Sequence, residues 1–237
     1  MSKDFIIKTG GYNTPGQLPD YRDREIIYTE KLLLDDNGRA IMMEWEKPLM
    51  ELAAKTICKD GGKILNVGFG MGYIDDAIQK ENIEHHTIIE CHPTVWKKMK
   101  EDGWLDKPNV ECIFGKWQDI LPRLEKEGRM FDGVYFDTWA ENDAPFHANM
   151  WRLVNHGGYY SFFNKTEDPV NNPMHIKYIN LHNWFEDPEM IKINIENVPT
   201  QKEQNTKGTK GWYWNPDINI YWHPVWRRKQ KKGLNKN

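Results

Sequence analysis

Five short runs rich in β-branched and aromatic residues recur between Lys63 and Phe163, each followed by a stretch of different period, and this alternation limits the chain more than any other feature. The runs are KILNV (63–67), HTIIE (86–90), VECIF (110–114), DGVYFD (132–137) and GYYSFF (158–163). Helical segments fall between them, near 73–81, 93–102, 117–126 and 143–154. Strands alternating with helices are the sequence form of a parallel sheet with crossover connections, an α/β architecture. Pro93 suits the first turn of its helix and Gly103 its stop. Upstream, EWEKPLMELAAKTIC sets Leu49, Leu52, Ala53 and Ile57 on one helical face, so a helix leads into the first of these strands.

After Asn164 the pattern changes. HIKYINLHNWF (175–185) reads as a helix, and IKINIENV (191–198) and INIYWHPVW (218–226) read as strands around a polar, turn-rich segment. Such an end closes a sheet with an antiparallel pair. Residues 1–40 read as an irregular arm, and RRKQKKGLNKN (227–237) as a basic flexible tail. At 237 residues the expectation is a single domain spanning 1–237.

Composition excludes some roles. A net charge of -3 gives no general attraction to nucleic acid, so a nucleic acid partner is disfavoured despite the basic tail. No stretch of about 18 apolar residues occurs, so no membrane span is expected. Cys58, Cys91 and Cys112 are odd in number and lack CxxC spacing, which favours free thiols over disulfides or metal ligands. A cytoplasmic protein follows, with the nucleus open to a eukaryotic chain. Five of the 11 tryptophans come after residue 180. They read as core or subunit-contact anchors, which leaves a homodimer open, with a base-stacking platform as the sharper alternative.

The turn after the first parallel strand, ILNVGFGMGYIDD, carries Gly68, Gly70 and Gly72 on alternate positions. Glycine at such a turn lets a ligand approach backbone N–H groups closely. A phosphate-binding GxxxxGK[ST] loop is absent, and the GxGxxG dinucleotide fingerprint would want a small residue where Tyr73 stands. The GxGxG spacing fits S-adenosylmethionine (SAM), with Glu90 at the end of the second strand placed to take ribose hydroxyls. A tight turn without a ligand is the bland alternative. Trp117 and Gln118 lie where an adenine would rest, although Trp117 reads equally well as a core ring.

Asp137 ends the fourth strand, at the carboxyl end where open α/β sheets hold ligands; a capping role for it stays open. Glu141 follows it, and Glu44 and Glu46 form a second acidic pair near a helix start. Two carboxylates converging on one pocket would suit a guanidinium, whose planar fork of donors matches carboxylate geometry.

Six stretches, MMEWEKPLM, ILNVGFGMGYID, IIECHPTVWKKMKEDGW, KPNVECIFGKWQD, FDGVYFDTWAE and YYSFFN, together resemble the guanidino-group methyltransferases. That family comprises guanidinoacetate N-methyltransferase and the fungal and plant type IV protein-arginine delta-N-methyltransferases, and the wording here is nearer the type IV branch. The resemblance implies a Rossmann-like SAM-dependent methyltransferase fold, a seven-stranded, mostly parallel sheet with an antiparallel C-terminal strand and helices on both faces. It implies SAM contacts from Met42, Met50, Phe69, Gly70, Met71, Gly72, Tyr73, Ile74, Glu90, Cys91, His92, Lys116 and Trp117, with Asp137 near the transferred methyl. Glu46 and Asp137 would hold the acceptor guanidinium, with Met42, Lys165 and Thr166 shaping its pocket. The implied reaction is in-line displacement at the sulfonium methyl by a guanidino nitrogen of arginine, or of a small guanidine such as guanidinoacetate. A nucleic-acid methyltransferase and a non-catalytic SAM-binding protein are the competing classes. No metal is expected.

Overall fold

A computed structural model describes residues 21–139, 143–164, 184–208 and 213–231. Its frame is a seven-stranded sheet built from β4 (Lys63–Val67), β5 (His85–Glu90), β6 (Val110–Phe114), β7 (Phe131–Phe136), β8 (Val154–Phe162), β9 (Glu189–Asn194) and β10 (Ile220–Arg227). The order is β6-β5-β4-β7-β8-β10-β9. The pairs from β6 to β8 are parallel, and β10 runs antiparallel to both β8 and β9. Strand order reverses about β4, so the turns after β4 and β7 open on one crevice at the carboxyl edge.

The central strands are buried on both faces, which is why they read as near-continuous apolar runs. Helix α1 (Lys47–Ile57) covers one face with Leu49, Met50, Ala53, Ala54 and Ile57, and Pro48 sits in its first turn. Its apolar cluster takes in Ile64, Tyr135, Phe163 and Tyr221. On the other face α4 (Trp117–Lys126) and α5 (Ala144–Asn149) pack Leu121, Leu124 and Phe146 against Leu65, Val134 and Phe136. Two more helices, α2 (Tyr73–Ile78) and α3 (Pro93–Glu101), follow β4 and β5.

Three expectations need correction. Residues 26–43 are not an irregular arm: β1 (Ile26–Tyr28), β2 (Leu32–Asp35) and β3 (Ala40–Met43) form an antiparallel sheet. Alternation is hard to see in runs of three and four residues, and a buried ion pair, Arg24 Nη1 to Asp35 Oδ2 at 3.0 Å, anchors them. The basic tail starts later than 227, since Arg227 ends β10 and the buried Arg228 donates from Nη1 to the Val154 carbonyl. The helix expected over 143–154 is an α-helix to Asn149 that tightens into a 3-10 turn over Met150–Arg152, and β8 begins at Val154. The helix expected at 175–185 lies mostly outside the described residues. Among the described residues no helix is long and apolar enough to cross a membrane, and Cys58, Cys91 and Cys112 form no disulfide.

Candidate active site

The glycine turn after β4 is forced by its neighbours. Gly68 has φ 95°, and a Cβ there would stand 1.9 Å from the Asp137 carbonyl oxygen, so a side chain would push apart the turn and the end of β7. The same approach brings the Asp137 N–H to the Val67 carbonyl at 2.9 Å. Gly72, also left-handed at φ 75°, opens α2, and a Cβ on it would meet the Phe69 ring at 2.7 Å.

The N–H groups of this turn are largely spent on the protein itself. Phe69 N–H donates to Glu90 Oε2 at 3.0 Å, and the Gly70 N–H also supports that carboxylate. Met71 N–H points at Met42 Sδ at 3.2 Å, and Gly72 N–H donates to the Phe69 carbonyl at 2.8 Å. From the far side Cys91 and His92 each donate a backbone N–H to Glu90 Oε1 at 2.7 Å. Glu90 is only 3% exposed. Burial raises its carboxyl above the usual carboxylate range, and the surrounding N–H groups pull the other way.

One cavity joins these parts. Met42, Phe69, Gly70, Ile74, Glu90, Cys91, Trp117 and Asp137 line it, together with Tyr21, Thr138 and Trp139. Trp117 lines the cavity and also packs edge-on against Phe136 and Phe146 at 5.9 and 5.3 Å. Other candidates stand outside this wall. Met50 is fully buried on the inner face of α1. Tyr73 turns outward, with Lys47 Nζ 5.0 Å from its ring centroid, and burial pushes its phenol up to about 12. Met71 and Tyr73 border a separate surface hollow with Tyr28 and Lys98. Lys116 holds the N-cap position of α4 without a capping side-chain bond. The His92 ring is held on both sides by the backbone: Nδ1 accepts the Thr94 N–H at 3.1 Å, so Nε2 carries the proton and donates to the Arg24 carbonyl at 2.9 Å. Lys165, Thr166 and Glu141 lie outside the described residues.

Glu46 is fully buried in the turn before α1. Its Oε1 accepts the Met43 N–H at 2.6 Å and its Oε2 accepts the Tyr213 hydroxyl at 2.9 Å. It does not border the cavity of the glycine turn, but it shares surroundings with Asp137. Tyr135, Tyr213 and Tyr221 all have phenols raised above their usual value, first by burial, and in each case both Glu46 and Asp137 add to the shift. Glu44, by contrast, is half-exposed and pairs with Lys31 and Lys47 at 3.2 and 3.0 Å.

The sequence reading missed Tyr21 and Trp139 at the cavity, Tyr28 behind the glycine turn, and the three tyrosines at the acids. Tyr28 donates its hydroxyl to the Gly70 carbonyl at 2.6 Å, tying β1 to the glycine turn. Tyr21 packs against His92 and Trp139 with ring centroids 4.9 and 5.8 Å apart. Only Tyr135 had a visible signal, its place two residues before Asp137 and so on the same face of the strand.

The guanidinoacetate N-methyltransferase family profile matches residues 20–209 of the chain. The chain belongs to that family. Among its relatives is protein arginine N-methyltransferase 2 of Candida glabrata, 46% identical over 156 residues, which are 62% of this chain and 38% of that one. The protein of the same name from Yarrowia lipolytica is 34% identical over 219 residues, covering 87% of this chain and 45% of its own length. This member of the family thus spans less than half of either relative. Solved structures share the Rossmann-like methyltransferase fold at low identity. TYW2 of M. jannaschii in complex with AdoMet has a TM-score of 0.52 at 13% identity, with 91% of this chain and 90% of that one covered. Precorrin-6y C5,15-methyltransferase of Geobacter metallireducens has a TM-score of 0.55 at 12% identity, with 85% and 93% covered.

Proposed function

We propose that the chain is a single SAM-dependent methyltransferase domain that transfers a methyl group to a guanidino nitrogen, with arginine in a protein as the favoured acceptor. The observation that carries this reading is the convergence of two carboxylates, Glu46 and Asp137, on one set of buried tyrosines beside the glycine turn. The names of the arginine methyltransferase relatives support the acceptor class. Three thiols without a disulfide agree with a reducing, cytoplasmic setting.

The site's own chemistry favours SAM over a dinucleotide. A pyrophosphate needs free N–H groups, yet Phe69 and Gly70 already give theirs to Glu90. With Glu90 and Asp137 both on the wall, the cavity suits a cationic ligand. Glu90, whose carboxylate already accepts four backbone N–H groups, sets its oxygens in the cavity wall, Trp117 and Ile74 offer apolar surface to an adenine, and Met42 and Cys91 complete the wall. When bound, SAM supplies an electrophilic methyl on a sulfonium.

The chain's residues then have three tasks. Glu46 and Asp137 bind the acceptor cation and fix which nitrogen faces the donor, which makes the encounter effectively intramolecular. Buried aromatic rings exclude water from that contact. A guanidinium is far too weak an acid for a carboxylate to deprotonate beforehand, so Asp137 takes the proton on Oδ as the new N–C bond forms.

The deciding experiment offers methyl-labelled SAM with arginine peptides, free arginine, guanidinoacetate and lysine peptides. Label on an arginine peptide supports the reading, and label on guanidinoacetate alone moves the acceptor to small guanidines. Label on lysine overturns the guanidino assignment, because a point-charge ammonium cannot satisfy a fork built for two edges.

A further inference from the structure

The Tyr135 hydroxyl is fully buried and has no hydrogen-bond partner in the described structure. An orphaned buried hydroxyl is costly and rare, and is kept where something else satisfies it. Its place in the fold says what. Along β7, Gly133 faces α1 so closely that a Cβ there would meet the Ile57 carbonyl oxygen at 2.1 Å. Strand alternation sets Tyr135 and Asp137 on that same face, and Glu46 stands just ahead of α1. Tyr221 reaches the same region from β10, where its oxygen accepts the Asn164 N–H at 2.9 Å. Tyr213, Phe163 and Tyr221 stack behind it, with successive centroids 5.9 and 5.5 Å apart.

Resting on the guanidino reading above, we propose that Tyr135 is a specificity-determining residue whose hydroxyl oxygen accepts an N–H of the acceptor guanidinium held between Glu46 and Asp137. A planar guanidinium presents five N–H donors around three edges. Two carboxylates serve two edges, and Glu46 already spends part of its capacity on Met43 and Tyr213. A third carboxylate would overcharge the pocket. A phenol that burial keeps protonated serves the third edge without charge. Binding the acceptor thus satisfies a hydroxyl that the free protein leaves unmatched.

Tyr135→Phe removes only that oxygen and keeps the ring. In the full chain the expected result is at least a tenfold rise in KM for an arginine peptide, with the KM for SAM unchanged. The melting temperature should hold or rise, since the hydroxyl makes no bond in the free protein. Tyr160→Phe is the contrast: Tyr160 Oη is 2.5 Å from His147 Nδ1, so its loss should lower the melting temperature and leave the peptide KM alone. An unchanged peptide KM in Tyr135→Phe, or a lowered melting temperature with KM changed for both substrates, overturns the inference while the guanidino reading stands. Wild-type protein that binds SAM but labels no guanidine overturns both.

Discussion

Asp137 and His223 show how one side chain can be tested apart from its surroundings. If Asp137 orients the acceptor and takes its proton, Asp137→Asn should lower kcat by about 10²- to 10⁴-fold. Its backbone bond to Val67 is kept, so SAM affinity by calorimetry should stay within a few-fold. His223 has no such role and reports on stability. The Thr56 hydroxyl donates to the Ala53 carbonyl at 2.8 Å and the Ser161 hydroxyl donates to the Pro224 carbonyl at 2.5 Å. Both oxygens are therefore acceptors toward His223 Nε2, at 2.9 and 3.3 Å. Nε2 carries the proton, and Nδ1 is buried with no partner. A second proton on Nδ1 would be a buried, unpaired charge, so burial pushes the ring down to about 3 from an ordinary 6.5. A pKa lowered by folding means that the unfolded chain binds a proton between pH 6.5 and 3 that the native chain refuses, so stability falls as pH falls through that window. The melting temperature should drop across it, and His223→Gln should flatten the drop. An equally steep profile in the variant would show that other groups control acid stability. None of this was legible in the sequence, where His223 is one polar residue in a strand-like run.

At the scale of elements, the small antiparallel sheet is the part that sequence reading passed over and that the site depends on. β3 delivers Met42 to the glycine turn, β1 delivers Tyr28, and the turn after β3 buries Glu46. Asp35 holds these strands together: it accepts the Asn37 and Arg39 N–H groups at 2.9 and 2.8 Å and pairs with Arg24 at 3.0 Å. Removing one partner of a buried ion pair costs about 3–5 kcal/mol. Asp35→Ala should destabilise by that order in urea denaturation, and should also weaken SAM binding because the tie between Tyr28 and Gly70 loosens. Stability lost without any loss of SAM binding would separate this sheet from the site. The parallel strands were easier to see. KILNV and VECIF have the same bounds in sequence and structure: KILNV is buried from Ile64 to Val67 and reads as a near-continuous apolar run, while VECIF, a part-buried edge strand, is marked by its β-branched and aromatic residues. A three-residue strand such as β1 needs only one inward side chain.

For the whole molecule, a ligand seated between the turns after β4 and β7 bridges the two halves of the sheet and must favour the folded state. At 100 times its dissociation constant SAM should add about 2.7 kcal/mol by mass action, raising the melting temperature by roughly 5–11 °C for a chain of this size. NAD and ATP should produce no comparable shift. A shift with NAD instead would return the glycine turn to the dinucleotide class. What the sequence alone determined was the periodic frame: apolar runs that must be buried, glycines where no side chain fits, and acids at strand ends. These follow from local rules, since burial, backbone freedom and alternation act within a few residues. Tertiary structure alone decided the company those acids keep. Glu46 and Tyr213 are 167 residues apart and hydrogen-bonded, and the Tyr135 hydroxyl is buried where, among the described residues, none bonds to it. Long-range packing sets such contacts, and no local pattern records them.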